Sequence, residues 1–128
     1  MMPLYSKILT VLIIFLGETL AIYAEMIAAR TYSVSSKPFF QIFSKMFLII
    51  ISAGGFLIMG YMIGFSSFKN IWIVSVTSIT SILIIEPALA FLIFQQLPTK
   101  GATIGLIFGI LGFLSSFLLW KRKMQFFN

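Results

Sequence analysis

Four long apolar runs dominate the chain, at roughly residues 8–29, 46–67, 71–94 and 102–120. Each is close to the ~20 residues that a helix needs to cross the hydrocarbon core. Backbone amides and carbonyls have no water to bond there, so each run must satisfy them internally as a helix. The pattern predicts an all-α protein: an integral membrane bundle of four transmembrane helices in one domain, residues 1–128. The links differ. The stretch "RTYSVSSKPFFQIFSK" (30–45) is the one long connection, and Lys37-Pro38 marks a break within it. The "PFFQIFSK" part is either a short interfacial helix or an extension of the second helix. The link near "SSFKN" is very short, and "QQLPTKG" carries Pro98 and Gly101 in a tight turn. Links this short make helices 2, 3 and 4 antiparallel neighbours.

Composition agrees with the pattern. Hydrophobic residues are 60% of the chain, charged residues 9%, and mean hydropathy is +1.11; soluble domains carry about 25% charged residues. The net charge of +6 sits in links and at the C-terminus, where it meets lipid headgroups. No basic–aromatic surface suggests nucleic acid. Cysteine, histidine and aspartate are all absent. That removes disulfides, thiol and imidazole metal sites, serine–histidine or cysteine–histidine catalysis and an aspartyl dyad. The sequence therefore predicts no enzyme, no metal and no cofactor. With four spans, Lys7, Lys69 and Lys121-Arg122-Lys123 fall on one side, and Arg30, Lys37, Lys45 and Lys100 on the other. The excess of one favours a multi-pass protein of the plasma membrane with cytoplasmic termini, and is small enough to fit insertion in both orientations.

The three acids change this picture most. Glu18, Glu25 and Glu86 all lie inside predicted spans. An intramembrane carboxylate costs at least about 2.5 kcal/mol when charged. It must hold a proton, pair with a base or face a wet cavity, and each solution predicts that the acids point into the bundle. Glu18 is near the middle of helix 1; Glu25 follows about 10 Å on along nearly the same face and is close enough to the end to pair with Arg30. Glu86 precedes Pro87, which removes a donor and predicts a kink. It could instead pair with a lysine or bond the Ile82 carbonyl. Ser75, Ser78 and Glu86 share one side of helix 3 at 3.6 residues per turn. Serine and threonine also satisfy themselves on carbonyls four residues earlier. Tyr23 could offer its ring to a cation. Such carboxyls suit transport, because one acid can hold a proton or a cationic substrate but not both.

Small residues mark close helix contacts. Gly101, Gly105, Gly109 and Gly112 line helix 4, Gly60 and Gly64 form a pair in helix 2, and Gly17, Ala21, Ala24 and Ala28 form a seam beside the acids. Helix 4 is the candidate contact between subunits. Tyr5, Tyr32, Trp72 and Trp120 fall near span ends, as interfacial aromatics do.

The stretches "LGETLAIY", "EPALAFLIF" and "FQQLPTKGATIGLIFGILGFLSSFLL" make the chain resemble the drug/metabolite transporter superfamily, and especially its four-helix small multidrug resistance members. The resemblance implies a homodimer or heterodimer in the bilayer, with Glu18 of each chain in a central chamber binding substrate and protons in turn. That family's aromatic residue in the middle of helix 3 is missing, with Thr77 near that point, and Glu25 and Glu86 are additional acids. These departures leave room for a polar metabolite, a guanidinium-like cation or a lipid-linked sugar as substrate. The rival expectation is an accessory subunit of a larger membrane complex.

Overall fold

A computed structural model describes residues 4–127, with the side chains of 117 and 119–127 outside the described part. It is all-α: α1 (Leu4–Val34), α2 (Phe39–Phe68), α3 (Ile71–Phe94) and α4 (Lys100–Phe127). The first three are long and apolar enough to cross a membrane. This is a membrane protein of the all-α class. The chain divides into two compact units, residues 1–96 and 97–128.

Local chemistry places each helix boundary. The expected long first link shrinks to residues 35–38. Its flanks join the helices on either side, so "PFFQIFSK" is an extension of α2. Pro38 sits extended just before α2, at φ −65° and ψ 149°, where its missing amide costs nothing. Lys69 ends α2 in the left-handed region, and its amide donates to the Phe65 carbonyl. Asn70 then caps α3 by accepting from the Trp72 amide at 2.9 Å. Gln95 closes α3 as Lys69 closes α2, with its amide on Phe91. Thr99 opens α4 by accepting from the Ala102 amide at 3.1 Å. α3 continues as one helix through Pro87. With 31 and 30 residues, α1 and α2 are each about 45 Å long and exceed the hydrocarbon core.

The first unit packs through glycines. A Cβ at Gly60 would stand 2.6 Å from Ile14 Cγ1, and one at Gly64 2.7 Å from Thr10 Cγ2 and 3.0 Å from Val74 Cγ2. One at Gly17 would meet Leu57 at 2.9 Å and the Ala53 carbonyl at 3.2 Å. Rising numbers on α1 thus meet falling numbers on α2, so the two are antiparallel. Thr10, Gly64 and Val74 converge at one level, tying α3 to both. The ends are pinned as well. Lys7 Nζ lies 5.5 Å from the Phe68 ring centroid. At the other end Tyr32 meets Phe39 edge-on at 5.7 Å, and Phe39, Phe43 and Phe47 stack at successive turns of α2.

α4 is described by itself. Its apolar stretch among the described residues is Lys100–Ser116. Gly101, Gly105 and Gly112 are exposed and open around their α-carbons, while Gly109 is half-buried. The side chains of Trp120 and Lys121-Arg122-Lys123 lie outside the described residues.

The glycine geometry yields a paired comparison on one helix. Gly64→Ala is expected to destabilise the protein by about 1–3 kcal/mol, because β-branched neighbours on two helices must shift. Gly55→Ala, where a Cβ meets nothing within 4 Å, is expected to be neutral or slightly stabilising. Denaturation in mixed micelles compares the two.

Candidate functional site

The site is built on α1 and α3. Glu18 lies one residue from the midpoint of α1 and is buried, with 8% of its surface exposed. Gly17 beside it lets α2 approach through Ala53 and Leu57. From α3, the Ser78 hydroxyl donates to Glu18 Oε1 at 2.6 Å. No side chain of the described residues forms an ion pair with Glu18. The charged residues on the helices packed around it are Lys45 on α2 and Glu86 on α3, both exposed, and Lys7, Glu25 and Arg30 on α1 itself.

Ser78 behaves differently from its neighbours. Thr77, Thr80 and Ser81 each donate to the carbonyl four residues earlier, at Ile73, Val76 and Thr77. Those bonds satisfy a hydroxyl within its own helix. The Ser78 hydroxyl instead crosses to another helix.

The other expected site residues lie elsewhere. The buried stripe of α3 is Val74, Ser78, Ser81 and Ile85. These positions recur every three or four residues and face α1. Ser75 and Glu86 stand about 100° around the helix from that stripe at 3.6 residues per turn; Ser75 is half-buried and Glu86 exposed. Within the first unit, of the three acids only Glu18 is buried. Glu25 is also exposed, although its spacing places it near the Glu18 face. At that level Ile22 and Ala24 are the buried positions. Azimuth fixes which way a side chain leaves its helix, not whether another helix covers it at that height. Glu25 does not pair with Arg30, and Glu86 does not bond the Ile82 carbonyl. Tyr23 is 43% exposed. Within the first unit Glu18 is buried between α1 and α3, with α2 close at Gly17.

Ser81 and the layer of Thr10, Ile14 and Val74 are the buried neighbours of this site that sequence reasoning missed. The signal was present for Ser81. It follows Ser78 by three residues, the step that keeps a side chain on one face. Nothing in the sequence singles out Ile14 and Val74 among so many aliphatic residues.

Among the described residues no group of three or more potential metal ligands forms. Comparisons with protein-family models, with curated proteins and with solved structures give no match.

The Glu18–Ser78 bond is testable as a coupling energy. Ser78→Ala is expected to cost about 1–3 kcal/mol, since it leaves a buried carboxyl without its partner. In a Glu18→Ala background the same change is expected to cost less than about 0.5 kcal/mol. Equal costs in both backgrounds exclude the bond.

Proposed function

We propose that the protein is a small membrane transporter or flippase of a cationic or polar small molecule, coupled to protons through Glu18 and working as a dimer. The observation that supports this reading best is the setting of Glu18. It is a carboxyl at mid-height of a spanning helix, shielded by its neighbours and bonded to a hydroxyl instead of a base. A permanent basic partner would hold it ionised and inert. A serine tolerates both states, because a hydroxyl can donate to a carboxylate or accept from a carboxylic acid. Glu18 is thus free to give up its proton when a cation arrives and to regain it when the cation leaves. Intramembrane ionisable residues mark ion and substrate paths, and a midplane site is where alternating-access transporters hold cargo. The similarity of "LGETLAIY" to helix 1 of the small multidrug resistance type is in line with this role.

The dimer belongs to the same reading. In this reading a second copy or a partner chain completes the path for cargo, as the resemblance to four-helix transporters implies. The glycines of α4, with Gly101, Gly105 and Gly112 open, suit close approach of another helix. The plasma membrane and cytoplasmic termini complete the proposal, on the narrow excess of basic residues at the termini.

A second reading is favoured by the exposed acids. Glu25 and Glu86 lie within spanning helices and are uncovered in the first unit. An accessory subunit of a larger complex, or one half of a heteromeric lipid-linked sugar flippase, would cover them with basic or hydroxyl side chains of its partner. A chain that is stable only when co-purified with a second protein fits that reading and opposes a self-sufficient homodimer.

Glu18→Gln keeps the shape of the side chain and its acceptor for Ser78, and removes the titrating proton. Purified in liposomes, this variant is expected to lose proton-driven exchange down to the level of empty liposomes while its oligomeric state by cross-linking is unchanged. Normal exchange by Glu18→Gln overturns the coupling mechanism.

A further inference from the structure

The contacts between α1 and α2 keep one register. Thr10 meets Gly64, Ile14 meets Gly60 and Gly17 meets Leu57, so each step up α1 is matched by an equal step down α2. The same register closes the link end, where Lys7 lies on the Phe68 ring. Carried the other way, it brings Arg30 level with Lys45. On each helix these two levels lie 23 residues apart. That is about 35 Å of helix, close to the ~30 Å of a hydrocarbon core. Beyond Arg30 and Lys45 the two helices project to Val34 and Phe39. The projection is about 6–9 Å, comparable to the roughly 5–7 Å of one headgroup layer. Lys37 stands in the link at its tip. Arg30, Lys37 and Lys45 are all exposed, and among the described residues none of them forms an ion pair. No acid occurs from residue 26 to residue 85. The same end carries exposed Tyr32, Phe39, Phe40, Phe43 and Phe47, whose rings touch in a ladder along α2.

We infer that the α1–α2 end, residues 30–47, is a docking surface for the headgroups of anionic phospholipids. Charge decides the occupant. Three cations at one end of a helix pair, with no acid among them, call for negative charge from outside the chain. The phosphate layer supplies it at the depth where Arg30, Lys45 and Lys37 stand. A zwitterionic lipid cancels its phosphate with its own cation, whereas an anionic lipid does not. Each lysine or arginine near an anionic surface favours it about fivefold. The rings fix the depth. Exposed phenylalanines resist moving outward into water, and the basic groups resist sinking into hydrocarbon. Aromatic residues at the boundary anchor a helix in this way. The link end is built differently. There Lys7 is half-buried against Phe68, which leaves Lys69 as the one exposed basic residue of the first unit at that end. This surface is independent of the transport reading, since it involves neither Glu18 nor Ser78.

The test reads which lipid lies against this end. The full-length protein is reconstituted in phosphatidylcholine vesicles that contain a small fraction of either phosphatidylglycerol or phosphatidylcholine brominated high on its acyl chains. Bromine quenches a neighbouring tryptophan. Phe43→Trp, in a chain whose own tryptophans are removed by Trp72→Phe and Trp120→Phe, reports from within the aromatic ladder. Brominated phosphatidylglycerol is expected to quench this reporter at least about threefold more than brominated phosphatidylcholine. The preference is expected to vanish in Arg30→Gln/Lys37→Gln/Lys45→Gln and in concentrated salt, and to survive Lys69→Gln. Lys37→Gln alone, in the link outside both helices, is expected to lower it in part. Equal quenching by the two lipids overturns the proposal. So does a preference that persists in the triple variant when circular dichroism shows it folded. Quenching by neither lipid shows that protein, from a second copy or another chain, covers this end, and overturns it as well.

Discussion

A carboxyl group held at the centre of a bilayer must have a polar neighbour, and the geometry of the first three helices follows from supplying one. Ser78 reaches Glu18 only if α1 and α3 lie side by side at the right register, and the bond length of 2.6 Å leaves little freedom in that register. α2 then fills the remaining side of α1. It comes close because Gly17, Gly60 and Gly64 remove the side chains that would hold it off. In lipid no hydrophobic effect draws helices together, so small-residue contact and one hydrogen bond carry more of the specificity than they would in water.

The same arrangement separates the roles of the chain's polar residues. Several hydroxyls on the spanning helices turn back to their own backbone, as Thr10, Thr19, Thr77, Thr80 and Ser81 do. These are silent in the assembly of the unit. Ser78 alone among the described hydroxyls bonds a side chain on another helix. Glu25 and Glu86, lacking such a partner within the first unit, raise a different demand, because an ionised carboxylate facing lipid is costly. Within the first unit, one acid is thus shielded and two are exposed.

How much of this was legible in the sequence depends on whether a property is local. Run lengths and polar links set the number of helices, and α3 at Ile71–Phe94 matches its apolar run to the residue, because span length is dictated by the bilayer. That Glu18 needs a polar neighbour was legible too, since an acid in mid-span is costly wherever it points. The first link was misjudged, because residues around a single Pro38 continue both helices when nothing forbids it. Ser75 was grouped with Ser78, whereas Ser81 shares its face; periodicity orders residues around a helix but does not name the side that a neighbour will cover. Whether Glu25 or Glu86 is sheltered, and which aliphatic residues are buried around Glu18, depends on the register of α1 against α2 and α3. That register is set by contacts between residues far apart in the chain, such as Thr10, Gly64 and Val74, and only the tertiary structure brings them together.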